Sequence, residues 1–466
     1  MTDWTIATVA ETIRARRISS VEAVRACLER IERLDGRLRS FITLDAEGAL
    51  ASAGARDAEL AAGRLRGPLH GVPLAYKDLC HVRGLPTSCG TLTPEYFVAE
   101  HECTAVTRLA AAGTVTLGKL NMSELATGPF GDNPHHGDVQ NPWRAGHVSG
   151  GSSSGSGAAV ATGLVLGALG TDTGGSIRLP AACCGIVGLK PTYGRVSRTG
   201  VMPLSWSLDH VGPMTRTVTD AALLLSAIAG HDPQDGTSSH RPVPDYAAGL
   251  EDPVAGLRVG VPENYYFDGL DPEMTSGVRT AIRALEDLGV SVETLGLPDP
   301  ASLLSVANVI ARAESATVHA RVLRERPHEL GKAVRARLGI GLGIAATDYL
   351  QALRLRSRLA RTFIAEVFAR VDALALPVIH EPAPSHEACR AGGVEAMVAR
   401  MGRFSRLTRP FNALGVPALS VPCGFSADGR PLAFQIVGRP FDEATVLRLG
   451  QAYEQSARHL GRRPPL

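Results

Sequence analysis

Apolar and polar positions alternate with two different periods along this chain. In "VEAVRACLERIERL", Val21, Val24, Leu28 and Ile31 fall on one face of a helix, and Ser19 with Glu22 forms a capping box in front of it. "DAEGALASAGARDAELAAG" continues as an Ala-rich helix, so the first 65 or so residues read as helical. From about residue 70 the texture changes. "GVPLAY", "TVTLGK", "LVLGALGT" and "CGIVGLK" are short apolar runs bounded by Gly and Pro, which read as buried strands. Helical stretches such as "CTAVTRLAAAG" separate them. "LRVGVP", the helix opened by Asp271-Pro272, and "VSVETL" form a strand–helix–strand unit. Residues 300–370 read as long helices, and "DALALPVI" and "ALSVPCG" return as strands. The pattern predicts an α/β protein with helices covering a central sheet. No long polar linker divides the chain, which favours one large domain.

Composition narrows the class. The 466 residues are 44% hydrophobic and 20% charged, enough to bury a sizeable core. Lys and Arg number 48 against 46 Asp and Glu, a net charge of +2 that offers no electrostatic case for a nucleic acid or an anionic membrane. The eight cysteines form no C-x-x-C pair and read as reduced, buried thiols of a cytoplasmic protein. The N-terminus lacks the apolar core of a signal peptide, and no run of about 18 apolar residues predicts a membrane span.

Candidate chemistry centres on "SGGSSSGSG", residues 149–157. Its composition is that of a flexible linker. A phosphate loop is excluded because neither G-x-x-x-x-G-K-[ST] nor G-x-G-x-x-G is completed. Gly151-Ser152-Ser153-Ser154-Gly155 satisfies G-x-S-x-G with Ser153 at its centre, yet "NPWRAGHVSG" in front of it is not the strand a nucleophile elbow needs. More informative is "TDTGGSIRLP", directly after an apolar strand. There Gly174-Gly175 precede Ser176 and leave successive backbone N–H groups bare, as an oxyanion hole requires. Ser176 is therefore the candidate nucleophile. No histidine sits in a persuasive context to act as base. Lys77, at the end of "GVPLAY", can serve if burial keeps it neutral.

These stretches resemble the amidase signature family. "GVPLAYKD", "GGSSSGSGAAVA", "GTDTGGSIRLPAACCGIVGLKPTYGRVS" and "LDHVGPMTRTVTDAALLL" carry the likeness, with "FNALGVPALSVPCG" and "LAFQIVGRPFDEATVLRLGQAYE" near the C-terminus. The resemblance implies a single domain over 1–466, a mixed sheet covered on both faces by helices, with N-terminal helices to 65, a core over 70–220 and a variable, substrate-facing region over 300–400. It implies a triad of Lys77, a bridging Ser152 after a cis Gly151–Ser152 peptide, and the nucleophile Ser176. The oxyanion hole falls on the N–H groups of Thr173, Gly174, Gly175 and Ser176, braced by Asp172 and Arg178. Ala126 and Thr127, with Ser152, are expected to meet substrate. Ser153, Ser154 and Ser156 are expected to cap the following helix or bond the loop. Asp132, His135, His136 and Asp138 read as a polar rim, not a metal site.

The resemblance implies hydrolysis of a small amide C–N bond through an acyl-enzyme, without metal or organic cofactor. The main alternatives are the glutaminase subunit of a tRNA-dependent amidotransferase and a urea or carbamate hydrolase. "NMSELATG" departs from the Met-Asp-Glu-Phe-Ala-Met-Gly stretch of those subunits, which favours a stand-alone monomer or homodimer acting on a small molecule, with no nucleic acid and no membrane. The few phenylalanines of the helical region near 300–400 (Phe363, Phe368, Phe404) point to an aliphatic or open pocket.

Overall fold

The computed structural model describes residues 4–93, 98–457 and 461–466. The apolar runs become strands of one sheet. In chain order these are β1 (Phe41–Leu44), β2 (Pro73–Lys77), β3 (Val115–Leu120), β4 (Gly167–Asp172), β5 (Val187–Lys190), β6 (His210–Thr215), β7 (Arg258–Pro262), β8 (Ser291–Leu295), β9 (Ala373–Pro377), β10 (Ala418–Phe425) and β11 (Pro431–Gly438). Their order across the sheet is β1-β3-β2-β4-β6-β5-β10-β11-β9-β7-β8. The sheet is mixed: β2 runs parallel to both β3 and β4, whereas β4, β6, β5, β10, β11 and β9 are joined by antiparallel pairs.

Both faces of the sheet are covered, which is why its central strands read as unbroken apolar runs. Successive side chains of a strand point to opposite faces. Accordingly Leu74 and Tyr76 of β2 join a core with Val106, Leu109 and Leu224, while Ala75 joins another with Val24, Ile31 and Ala159. The helix over Ser20–Leu38 carries the predicted capping box, with Ser19 accepting from Glu22 N–H and Glu22 reaching back to Ser19. Asp271 caps Pro272–Asp287 as its Asp-Pro pair predicts. The long helix expected after residue 300 is interrupted at His319, giving Pro300–Val318 and Ala320–Glu325, followed by Lys332–Leu342 and Ala346–Val367. Among the described residues, all eight cysteines are unpaired and buried, and no helix is long and apolar enough to cross a membrane.

Candidate active site

Lys77 is the last residue of β2 and is fully buried. Its ammonium has no carboxylate against it. The Nζ instead donates to Ser152 Oγ at 2.7 Å and to Thr171 Oγ1 at 2.9 Å. Lys119, equally buried on the adjacent strand, differs: it has Asp78 at 3.2 Å together with two carbonyls. Two neutral hydroxyls do not compensate a desolvated charge. Burial therefore pulls the Lys77 pKa down to about 7. Thr171 is a partner that sequence reasoning missed. It lies near the end of β4, and only the parallel β2–β4 pairing shows that it reaches Lys77.

Ser152 sits in the predicted glycine-serine turn, which is ordered and buried, not a linker. The Gly151–Ser152 peptide is cis. The Ser152 carbonyl accepts from Ser123 N–H at 3.1 Å, and Ser153 N–H donates to the Ser176 carbonyl at 3.2 Å, so the two serine-bearing turns are tied to each other. Of the remaining serines, Ser153 and Ser156 bond backbone, and the buried Ser154 Oγ has no hydrogen-bond partner. Ser153 Oγ pairs with the backbone of Thr171, and Ser156 Oγ donates to the Leu169 carbonyl, while Ser153 makes no capping bond to its helix.

The turn 173–176 is held from below by a buried ion pair. Arg178 Nε and Nη2 donate to the two oxygens of Asp172 at 3.0 and 3.1 Å, and neither side chain is exposed. Burial pushes the Asp172 carboxyl up, but Arg178 more than offsets it and holds the group well below the usual carboxylate range. Arg178 also donates to Asn412 Oδ1 and Gln435 Oε1, and Asn412 Nδ2 returns a bond to Asp172. Asn412 and Gln435 were not legible as site residues.

One expectation changes here. Gly175 N–H is turned away from the cavity and donates to Asp172 Oδ1 at 2.7 Å. It is thereby committed to the brace, since a short bond to an ionised, buried carboxylate outcompetes a transient ligand. The N–H groups of Thr173, Gly174 and Ser176 make no hydrogen bond to protein among the described residues. Gly175 also has φ +130°, and a Cβ there would lie 2.3 Å from Thr408 Oγ1, so only glycine fits.

Ser176 opens onto a cavity that it shares with Thr173, Gly174, Ala126 and Thr127. Leu125 and Ala126 both adopt positive φ, which turns this segment toward Ser176. The helices after 300 line the opposite wall. Asn308, Arg312 and Ser315 come from Pro300–Val318, Arg337 from the next long helix, and Arg409 from Arg409–Leu414. The three phenylalanines do not. Phe363 packs on Phe368 in the core and Phe404 on Phe130, because those faces turn inward. Of the polar rim, His135 pairs with Glu124 at 2.7 Å and Asp138 with Arg390.

A family model described as Amidase matches residues 22–447. The chain is 43% identical, over all of both chains, to a Myxococcus xanthus protein named as one subunit of glutamyl-tRNA(Gln) amidotransferase. A solved chain described as part of an unexpected vestigial protein complex that reveals the evolutionary origins of an s-triazine catabolic enzyme superposes with a TM-score of 0.91 at 34% identity, covering 97% of this chain and 99% of that one. The native peptide amidase of Stenotrophomonas maltophilia superposes at 0.85 with 32% identity, covering 100% and 98%. The expectation of an unassisted monomer or homodimer with no nucleic-acid partner is overturned by these relatives, since the Myxococcus protein belongs by name to a tRNA-directed, multi-subunit enzyme. Net charge averages over one chain and carries no information about contacts that a neighbouring subunit makes.

Proposed function

We propose that this chain, which belongs to the amidase family, is the amide-hydrolysing subunit of a glutamine-dependent amidotransferase, with Ser176 as its nucleophile. What supports the assembly is the end-to-end similarity to proteins named as the corresponding subunit of glutamyl-tRNA(Gln) amidotransferase. What carries the chemistry is one contact: a buried lysine without a counter-ion, 2.7 Å from a serine in the turn that is tied to Ser176.

In the neutral state Lys77 accepts the Ser152 proton, and Ser152 accepts that of Ser176. Ser176 Oγ attacks the amide carbonyl carbon, forming a C–O bond and a tetrahedral oxyanion. The oxyanion rests on the free N–H groups of Thr173, Gly174 and Ser176. The proton returns along the relay to the nitrogen as the C–N bond breaks, and ammonia leaves. Water then attacks the acyl ester through the same relay, releasing the carboxylic acid and restoring Ser176.

Because Lys77 works only when neutral and its pKa is pulled down to about 7, kcat/KM is expected to rise about ten-fold per pH unit below that value and to level off above it. Steady-state rates between pH 5 and 9 check this; a rate that falls from pH 6 to 8 overturns the assignment. Glutamine turnover, followed by ammonia release, is expected to rise about ten-fold or more when the remaining amidotransferase subunits and tRNA are supplied. Unassisted turnover at the same rate with and without them counts against the transferase reading.

A second reading is the hydrolysis of a small acidic amide other than glutamine. One observation favours it. The described residues lining the Ser176 cavity include three arginines and no Asp or Glu, so nothing there is built for the ammonium that glutamine carries beside its carboxylate.

A further inference from the structure

The oxyanion turn has a second brace besides Arg178. Strands β4 and β6 run antiparallel, and their pairing ends with Asp172 opposite His210. One step further, the same register sets Thr173 against Asp209. Their side chains meet there: Thr173 Oγ1 donates to Asp209 Oδ1 at 2.5 Å, and both residues are buried. Asp209 Oδ2 accepts from the N–H groups of Leu204 and Ser205 at 2.9 and 3.0 Å, so the carboxylate closes its own loop. That loop is bolted in turn to the helix Pro300–Val318. Glu314 of this helix, 1% exposed, accepts from the Ser205 and Ser207 hydroxyls at 2.5 and 2.7 Å.

A carboxylate in this place is costly. Asp78 and Asp172, also buried, each face a lysine or an arginine. Arg198, whose charge reaches Asp209, pairs with Asp235 instead. Burial pushes the Asp209 carboxyl up to about 6, against the three hydrogen bonds it accepts. A neutral amide would fill the position at lower cost, but it has one acceptor oxygen and makes the weaker bond to a hydroxyl.

The turn shows what that bond is for. The peptide before Thr173 is held through the Asp172 carbonyl, which accepts from Asn412 Nδ2 at 2.9 Å. The peptide after Gly174 is held twice: Thr408 Oγ1 donates to the Gly174 carbonyl at 2.6 Å, and Gly175 N–H is committed to Asp172. The Thr173–Gly174 peptide between them makes no hydrogen bond at either end among the described residues. Its plane is set by the Thr173 side chain, and that side chain is anchored on Asp209.

We propose that Asp209 is a positioning residue for the reaction: by anchoring the Thr173 hydroxyl it aims the Thr173–Gly174 peptide, so that Gly174 N–H meets the oxyanion formed at Ser176. The inference rests on Ser176 as the acylated residue. The oxyanion exists only after attack, so a misaimed donor lowers kcat and spares KM. Removing a whole donor costs about 10²–10³-fold, and a hydrogen bond weakens steeply off its axis, so losing the aim is expected to cost about 10- to 100-fold.

Thr173→Val deletes the hydroxyl and keeps both the shape and the backbone N–H. It and Asp209→Ala should each lower kcat about 10- to 100-fold with KM within about three-fold, whereas Thr173→Ser, which keeps the hydroxyl, stays within about three-fold of the parent. The double variant should fall no further than Asp209→Ala alone, since both changes break one contact. Rates are read on glutamine with the partner subunits present and on succinamate with the chain alone. Butylboronic acid gives a readout without turnover. Its boron takes up a lone pair of Ser176 Oγ and becomes a tetrahedral anion in the oxyanion's place, while the Ser176 proton passes to the relay. Calorimetry should find it bound at least about ten-fold more weakly by Thr173→Val than by the parent or Thr173→Ser. Equal kcat and equal boronate affinity in Thr173→Val and Thr173→Ser overturn the role of Asp209, even if Asp209→Ala fails to fold. Boronate binding undiminished in Ser176→Ala overturns the nucleophile instead.

Discussion

Ser176→Ala is expected to hydrolyse amides at least about 10⁴-fold more slowly than the parent while melting at nearly the same temperature. Stability should hold because the Ser176 side chain faces the cavity and is only half-buried, whereas the turn is braced through its backbone and through Asp172. Removing Oγ deletes the bond-forming atom and leaves the brace alone. Residual rate would come from the free N–H groups and from binding. Lys77→Met should lose about 10³-fold or more, since a relay without its base leaves Ser152 with no acceptor. Combining the two changes should cost little more than Ser176→Ala alone, because groups acting in one relay do not contribute additively. Ser153→Ala is the matched control. Its hydroxyl bonds only the Thr171 backbone, and it should keep more than about a tenth of the activity even though Ser153 centres the G-x-S-x-G pattern. Rates on succinamate or glutamine check the set. Near-normal turnover by Ser176→Ala, or its loss in Ser153→Ala at unchanged stability, would move the nucleophile one turn upstream.

How much of this was legible in the chain depends on whether the information was local. Lys77 announced itself because an apolar run flanked by Gly and Pro ends on it, and a lysine finishing a buried strand has nowhere else to put its charge. The two serine turns were legible for the same reason, as glycine-rich punctuation at strand and helix ends. Thr171 was not, because its relation to Lys77 lies in the β2–β4 register. Asn412 and Gln435 stand 234 and 257 residues from Arg178 and are brought to it only by the sheet order β4-β6-β5-β10-β11. The outward wall of the cavity was opaque too. Arg312 and Arg337 sit on half-exposed helices where an arginine is ordinarily solvated surface, and only the packing at Gly341 turns those faces onto Ser176. The orientation of the Gly175 N–H is likewise a property of three-dimensional bracing, which spacing between glycines does not encode.

That bracing makes Arg178→Met the largest expected loss of stability, about 3–5 kcal/mol. The methionine fills most of the volume, so the cost is electrostatic and not a cavity. It leaves the Asp172 carboxylate fully buried with only Asn412 and the turn amides against it, and it strips Asn412 Oδ1 and Gln435 Oε1 of their donor. The pH dependence identifies the cause. In the parent, Arg178 holds Asp172 well below the usual carboxylate range, so the pair stabilises the fold above the unfolded value of about 3.9 and is lost only as pH falls through the lower folded value. In Arg178→Met the folded pKa moves up, because desolvation loses its largest opponent and only Lys190, Asn412 and the turn amides still act against it. The variant's deficit should then be greatest near neutral pH and shrink as pH falls toward 4, where the buried carboxyl takes up a proton. Melting temperatures of parent and variant between pH 4.5 and 8 measure this difference. Activity should fall further than stability alone explains, since the amide of Gly175 hangs on Asp172 and sets how Gly174 and Ser176 present theirs. Asp172→Asn separates the two effects: it keeps a hydrogen-bonding side chain in place, yet leaves the Arg178 guanidinium unpaired, and its deficit should not shrink on acidification. A deficit in Arg178→Met that is flat across this pH range would show that Arg178 acts by packing and not as the counter-charge of Asp172.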